Sequence, residues 1–359
     1  MTTTRPTPRT STAGAAPAVT ATEVVLPGLV EPEGLQLRHR PLAAPAAGQA
    51  LVAVEASGVS FAEQQMRRGK YYDQPPFPFV PGYDLVGTVL AVGPGADPSL
   101  VGRRVAAMTK TGGWATHALL TAADLVPVPE GVRPVDAATF GVNGLTAWGM
   151  LHRVARVRAS QTVLVLGANG GVGGLLVQLA LLAGARVIGS ASARHHDALR
   201  ERGVEPVDHR GDLGAQVRAL APGGVDAVFD HVGGPGIATS RALLRRGGTL
   251  VSYGSAATRD VTGNPRLPVL RLVLRLAWWN ALPDGRRATF FDVWGGRRDP
   301  ERFRARVRSE LGQVLDLHAR GLLPARVAAV LPLSRVAEAV RLAESGTVAG
   351  KVVLVPDAS

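Results

Sequence analysis

In the run Val163-Leu164-Val165-Leu166-Gly167-Ala168-Asn169-Gly170-Gly171-Val172-Gly173, an apolar segment ends in glycines and a second apolar stretch follows. Strand, tight turn and helix in that order make a seat for a dinucleotide pyrophosphate, because the helix N-terminus presents unpaired N–H groups to the anion. The spacing Ala168-x-Gly170-x-x-Gly173 puts alanine where the first glycine of the fingerprint stands. Gly170 lets the backbone approach the phosphates and Gly173 lets the helix pack on the strand, with Gly171 and Val172 between them. A tight turn without a ligand is the alternative, and the surrounding alternation of strands and helices favours the cofactor.

The second strand of such a unit ends, about twenty residues on, in the group that reads the adenosine ribose. An acid there selects NAD. This chain instead has Gly189-Ser190-Ala191-Ser192-Ala193-Arg194-His195. Hydroxyls and the Arg194 guanidinium suit a 2′-phosphate through charge-assisted hydrogen bonds, so the expected cofactor is NADPH. Ser192 can also cap a helix starting near Arg194.

These residues need a scaffold, and the chain changes texture in a way that supplies one. Turn-punctuated β-like runs, such as Leu51-Val52-Ala53-Val54-Glu55-Ala56, fill the first third. From there the pattern predicts helix over 137–154, strand 162–166, helix 175–183, strand 186–189 and helices 194–202 and 213–220. Strand 225–229, helix 237–245 and strand 249–253 follow. Continuous apolar strands alternating with helices require a parallel sheet covered on both faces. The last segment, 327–356, reads as strand, Ala-rich helix and the strand Lys351–Val355, in the style of the first third. The expected organisation is a disordered tail over 1–21, a β domain from 22–135 and 320–359, and a nucleotide-binding domain over 136–319 inserted into it.

Composition narrows the class. The chain has 359 residues, 46% hydrophobic and 19% charged, which fits a globular protein. It has no cysteine, which excludes disulfides, thiolate catalysis and Cys-ligated metals. The net charge of +12 comes from 40 basic residues, of which only Lys70, Lys110 and Lys351 are lysines. The arginines are scattered among acids, no nucleic-acid-binding signature accompanies them, and no nucleic-acid partner is expected. No apolar run is long enough to span a bilayer, and Met1 to Thr22 lacks the apolar core of a secretory signal, so a cytoplasmic location is the default expectation.

Several further segments carry a family resemblance. They are Gly58-Val59-Ser60-Phe61-Ala62-Glu63, Gly69-Lys70-Tyr71, Val80-Pro81-Gly82-Tyr83-Asp84-Leu85-Val86-Gly87, Val142-Asn143-Gly144-Leu145-Thr146-Ala147, Asp230-His231-Val232-Gly233-Gly234 and Leu250-Val251-Ser252-Tyr253-Gly254. With the glycine motif, they make the chain resemble the medium-chain dehydrogenase/reductase superfamily, in its zinc-free quinone oxidoreductase and enoyl reductase branch. The resemblance implies an α/β fold, with a GroES-like β domain plus a Rossmann domain built on a doubly wound parallel sheet. Zinc-dependent relatives place a cysteine and a histidine where this chain has Ser60 and Tyr83, so no metal site is implied.

Without a Lewis acid, the accessible chemistry is hydride transfer to an already electrophilic carbon, with a proton delivered separately. In resembling enoyl reductases, a tyrosine in a Gly-x-Tyr segment supplies that proton. The match is Tyr71, with Tyr72 beside it. By the same resemblance Asn143 and Thr146 border nicotinamide and substrate, although Asn143 can equally cap its helix. Ser60 and Glu63 stand where the family has Asn and Asp. His209 stands where relatives have a tyrosine near the adenosine phosphate. Gly233, Gly234 and Gly254 let the backbone approach the cofactor, and Gly254 could equally be a turn. The implied activity is an NADPH-dependent reduction of a quinone or an α,β-unsaturated carbonyl. The alternatives are a pathway-dedicated enoyl or enone reductase and a non-catalytic, lipid-associated relative of the vesicle amine transport protein type.

One segment departs from a generic reductase. From Leu267 to Leu282, apolar residues including Val269, Leu270, Val273, Leu274, Trp278 and Trp279 wrap a helix, with Arg271 and Arg275 as its polar stripe. A lid, a dimer surface, a membrane-contacting face and a core helix all fit that pattern. The family resemblance implies a homodimer paired through edge strands, for which Ala288-Thr289-Phe290-Phe291-Asp292-Val293-Trp294 is the candidate.

Overall fold

Alternating small and branched residues start the first sheet. In the computed structural model, which describes residues 19–254 and 266–358, β1 (Val19–Val25) pairs with β2 (Gln36–Leu42) in a two-stranded antiparallel sheet. The strand β1 begins inside the segment expected as a tail; residues 1–18 of that segment lie outside the described residues. There follow β3 (Gln49–Val59), the short helix α1 (Phe61–Arg67), β4 (Asp84–Val92), β5 (Arg104–Met108), β6 (His117–Thr121) and β7 (Val126–Pro127).

Two helices, α2 (Pro134–Ala137) and α3 (Gly141–Trp148), and a π-helical stretch Gly149–Ala155 occupy the region expected as one helix. Packing breaks it. A Cβ at Gly141 would lie 2.4 Å from the Asp84 carboxylate, and one at Gly149 would lie 2.9 Å from the Phe291 ring. Close approach fixes both glycines, and glycine weakens a continuous helix.

A parallel sheet comes next: β8 (Thr162–Leu166), α4 (Gly171–Leu182), β9 (Arg186–Ala191), α5 (His196–Arg200), β10 (Val204–Asp208), α6 (Leu213–Leu220), β11 (Val225–Asp230), α7 (Ile237–Ala242) and β12 (Leu244–Ser252). The helix α8 (Arg266–Asn280) leads to β13 (Arg287–Phe290). The six strands run in the order β10-β9-β8-β11-β12-β13, every pair parallel, which is the order of a doubly wound sheet. Val163 and Val165 face one core with α3, α4 and the long helix α9 (Pro300–Ala319), while Leu164 and Leu166 face another with α6, α7 and α8. Both faces of β8 are therefore buried, which is why its residues are apolar without alternation.

Three of the differences from the sequence expectation have a plain physical reason. β10 escapes the apolar pattern because it is an edge strand carrying Glu205 and Pro206, and proline is tolerated there. α7 stops at Ala242, since β12 already pairs with β11 from Leu244. β13 ends at Phe290, so Trp294 lies outside the strand.

The chain closes with β14 (Val327–Pro332), α10 (Val336–Glu344) and β15 (Lys351–Val355). These two strands join the seven-stranded sheet of the first domain, whose order is β14-β15-β3-β4-β5-β7 with β6 also on β3. Val352 sits opposite Val59, so Lys351 arrives at the end of β3. Among the described residues, no helix is long and apolar enough to cross a membrane.

Candidate active site

The glycine turn follows β8, at the point where strand order reverses between β8 and β11. Gly167 takes a left-handed φ of 67°, and a Cβ on Gly173 would sit 2.1 Å from the Gly167 carbonyl oxygen. Alanine is accepted at position 168 because the neighbouring strand provides Gly189, where a Cβ would come within 2.8 Å of the Ala168 methyl. Gly170 is exposed, and a Cβ there would meet only the Gly167 carbonyl, at 3.3 Å; its open side faces outward. Gly171 and the half-buried Val172 open α4, and the Asn143 amide covers Gly171, with Nδ2 2.7 Å from where a Cβ would be. That contact carries the start of α3 onto the turn. Thr146 is buried one turn further along α3.

Ser192 follows β9 and opens a 3-10 turn with its hydroxyl unused as a cap. Arg194 is exposed; its Nη2 donates to the Gly346 carbonyl at 2.6 Å and its Nε donates to His195 Nε2 at 3.1 Å. His195 is held below its ordinary value by burial, and then by Arg194 and Arg326, in keeping with an unprotonated Nε2 acceptor. His209, after β10, is half-exposed beside Asp208 at 3.6 Å. Arg326 was not singled out in the sequence. Its Nη1 is buried without a hydrogen-bond partner among the described residues and would be 3.0 Å from a Cβ on Gly174, over the first turns of α4. Burial lowers the affinity of both Arg326 and nearby Arg202 for their protons, so extra anionic charge would be welcome between them.

At the end of β11, Asp230 accepts from the N–H groups of Val232 and Gly233, each at 2.8 Å, and from Ser240 Oγ at 2.7 Å. Gly233 has a φ of 67° in that turn. Gly254 has a packing reason of its own: a Cβ would be 2.6 Å from the His231 carbonyl oxygen.

The tyrosine region is more enclosed. Tyr71 and Tyr83 pack with Met66 and Val142, and their hydroxyl oxygens are 2.6 Å apart. Trp294 Nε1 donates to the Tyr83 hydroxyl. An indole N–H only donates, whereas a phenol has one proton and accepts at two positions. Either hydroxyl can donate across the Tyr71–Tyr83 contact, and the Tyr71 hydroxyl also hydrogen-bonds the Tyr72 side chain. Trp294, Tyr83, Tyr71 and Tyr72 thus form one hydrogen-bonded chain, and such chains strengthen link by link. Burial pushes Tyr71 and Tyr83 well above the usual phenol range and Tyr72 up to about 12, so all three are protonated at neutral pH. The link between Tyr83 and Trp294 is the part of this cluster that sequence reasoning missed, because 211 positions separate them.

Ser60 and Glu63 have a different task. Both the N–H and the hydroxyl of Ser60 donate to Glu63 Oε2, forming a capping box at the start of α1. Glu63 Oε1 accepts from the Tyr83 N–H at 2.7 Å, so one carboxylate joins the two positions where zinc-dependent relatives hold ligands. Burial raises Glu63, against the lowering pull of Lys351. Among the described residues no group of three or more His, Cys, Asp or Glu could hold a metal.

Asp84, next in the chain to Tyr83, ties these parts together. It is 1% exposed; Oδ2 accepts from the Val142 N–H at 2.7 Å, Oδ1 accepts from the Gly58 N–H at 3.3 Å, and Lys351 Nζ lies 3.6 Å away.

Comparison with known proteins follows this geometry. Residues 46–166 match the alcohol dehydrogenase GroES-like domain, and residues 203–354 match a model described as zinc-binding dehydrogenase. The human synaptic vesicle membrane protein VAT-1 homolog is 32% identical over 346 residues, 93% of this chain and 86% of that protein. A mycobacterial structure complexed with NADPH is 29% identical with a TM-score of 0.78, covering 94% of this chain and 100% of that one. A mycobacterial quinone oxidoreductase is 28% identical with a TM-score of 0.77 over the same shares. The fold and site define an oxidoreductase-type two-domain architecture. The chain belongs to the medium-chain dehydrogenase/reductase superfamily, in the branch that holds the VAT-1 homologues and quinone oxidoreductases.

Asp84→Asn removes one of the two carboxylates that face the buried Lys351 ammonium, the other being Glu63, together with the charged acceptor for the Gly58 and Val142 N–H groups, and the expected loss of unfolding free energy is about 3 kcal/mol. Adding Lys351→Met should recover part of it. An unchanged denaturation midpoint for Asp84→Asn alone would contradict the account of this pair.

Proposed function

We propose that this chain is an NADPH-dependent, zinc-independent reductase that passes a hydride to a quinone or to the β-carbon of an α,β-unsaturated carbonyl. The observation that carries the reading is the buried hydroxyl chain that includes Tyr71, set beside the start of the helix that also covers the glycine turn. The similarity to a mycobacterial quinone oxidoreductase and to a mycobacterial structure holding NADPH supports it.

The residues fit the cofactor. Ala168, Gly170, Gly171, Val172 and Gly173 would hold the pyrophosphate, with Arg326 as a further cation. Ser192, Arg194 and His209 would hold the 2′-phosphate, and the turns at Gly233 and Gly254 would border the remainder. When bound, NADPH supplies the hydride. Asn143 and Thr146 position the reacting groups from α3, and Met66 and Val142 keep water from the tyrosines. As charge develops on the conjugated oxygen, Tyr71 donates its proton there or to the α-carbon, and water returns a proton to Tyr71 afterwards. The acceptor gains one hydride and one proton, two electrons in all. Tyr83 and Trp294 act through Tyr71 by fixing the direction of its hydroxyl. A conjugated acceptor is electrophilic already, so this scheme needs no Lewis acid.

A pathway-dedicated enoyl or enone reductase has the same machinery and differs only in a narrower acceptor range. For assembly, we infer a homodimer built on the open edge of β13. A second reading, contact with a lipid surface, is favoured by α8. Leu270, Leu274 and the 62% exposed Trp278 lie outward beside Arg271 and Arg275. Trp279, grouped with them in the sequence, belongs to the core, where the Arg241 guanidinium lies 5.3 Å from its ring centroid.

Arg194→Glu should weaken NADPH binding about 10- to 100-fold and leave NADH binding nearly unchanged in a fluorescence titration, as loss of a charge-assisted hydrogen bond requires. Equal losses for both would remove the phosphate assignment. Tyr71→Phe should lower kcat at least about 10²-fold with NADPH affinity kept. Tyr83→Phe should lower kcat about tenfold and raise the solvent isotope effect, because proton delivery becomes limiting; an unaltered isotope effect would sink the positioning role. Light scattering should give twice the 37.4 kDa of the chain. Pelleting with anionic vesicles that is lost in Leu274→Ser with Trp278→Ser would support lipid contact, and absence of pelleting would dismiss it.

A further inference from the structure

A cavity of about 450 Å³ opens between the end of β5, the β6–β7 region and the segment that runs from Trp294 into α9. Its volume falls in the range of small-molecule sites. Its walls are divided. Met108, Leu125, Val126, Phe303 and Val307 make an apolar interior, with the Trp294 ring as one side. Three arginines line it against a single carboxylate, Asp124. Arg304 uses that carboxylate, with Nε 2.7 Å from Asp124 Oδ1. Arg297 lies over the Trp294 ring at 4.6 Å, and Arg308 donates Nη2 to the Ala123 carbonyl at 3.2 Å. Neither forms an ion pair among the described residues, and both are exposed. A chamber with one apolar wall, a polar rim and two guanidiniums outside any ion pair has a chemical complement: an apolar chain ending in an anion, for which guanidinium is the preferred planar partner.

We infer that this cavity is a binding site for an amphipathic anion, an apolar chain carrying a carboxylate or a phosphate, anchored by Arg297 and Arg308. Trp294 and Met108 belong both to this wall and to the cluster around Tyr71 and Tyr83. The occupant is thus the end of the substrate remote from the reacting carbon, an assignment that rests on the reductase reading above.

Calorimetric titration of the full chain with octanoate, octyl phosphate and 1-octanol tests the site without turnover. One or both anions should bind one to one and at least tenfold tighter than 1-octanol, and the tighter anion identifies the headgroup. Arg297→Gln with Arg308→Gln should lose that tenfold preference and keep the 1-octanol affinity. Arg103→Gln with Arg158→Gln, which removes equal charge from exposed positions away from the cavity, should behave as the unaltered protein. Anions that bind no better than 1-octanol, a preference that survives Arg297→Gln with Arg308→Gln, or equal losses in both double variants would each overturn the site. Failure of the reductase reading shows separately, as absence of turnover on any conjugated acceptor in a protein that still binds the anion.

Discussion

The arrangement depends on one buried carboxylate. Asp84 accepts from the backbone of β3 and of α3 and faces a lysine from the last strand, so segments more than 250 residues apart meet at a single side chain. Charge in so dry a place is costly unless its partners are all present, which makes the geometry all-or-none. The neighbouring glycines show how tightly the parts close on it: a Cβ at Gly58 would fall 2.0 Å from Lys351 Cε, and one at Gly141 would fall on the carboxylate itself. Because Tyr83 precedes Asp84 and Asn143 follows Val142, the same contact sets the distance between the hydroxyl chain and the glycine turn. Stability and catalytic spacing share one determinant.

From that spacing follows the chemistry the site can perform. Where zinc-dependent relatives carry ligands, Ser60 caps a helix and Tyr83 accepts from an indole, both braced by Glu63. Phenols kept neutral by burial are weak acids; they stabilise charge on a conjugated oxygen and hand over a proton without promoting alkoxide chemistry. The cationic groups around Gly174 lie at the opposite end, where phosphate charge would be held. A proton donor at one end and an anion seat at the other suit hydride transfer to an acceptor already polarised by conjugation.

Much of this was legible in the sequence. Strand–glycine–helix order, the missing acid after β9 and the β style of the final segment come from local spacing, and the helix Leu213–Leu220 and the strand Lys351–Val355 fall where the pattern places them. What escaped depends on distant partners. Trp294 looked like part of an edge strand because its bond to Tyr83 is visible only in the fold. Trp279 and Trp278 are adjacent in sequence, yet only one meets the core. The helix expected over 137–154 is a turn at 138–140 and a π-helical stretch from Gly149, and at Gly141 and Gly149 a side chain would meet Asp84 and Phe291, a constraint with no local signature. Arg326 lacks a motif altogether, and its place over α4 comes from the return of the chain to the seven-stranded sheet.

The central claim is a reduction of conjugated acceptors by NADPH. Its most direct test is the loss of nicotinamide absorbance with NADPH, and in parallel with NADH, across a panel of quinones, alkenals and cyclic enones. The account predicts turnover with NADPH on at least one of these classes and much slower turnover with NADH. Cofactor that stays fully reduced with every acceptor, or oxidation that proceeds equally well with NADH, would contradict it.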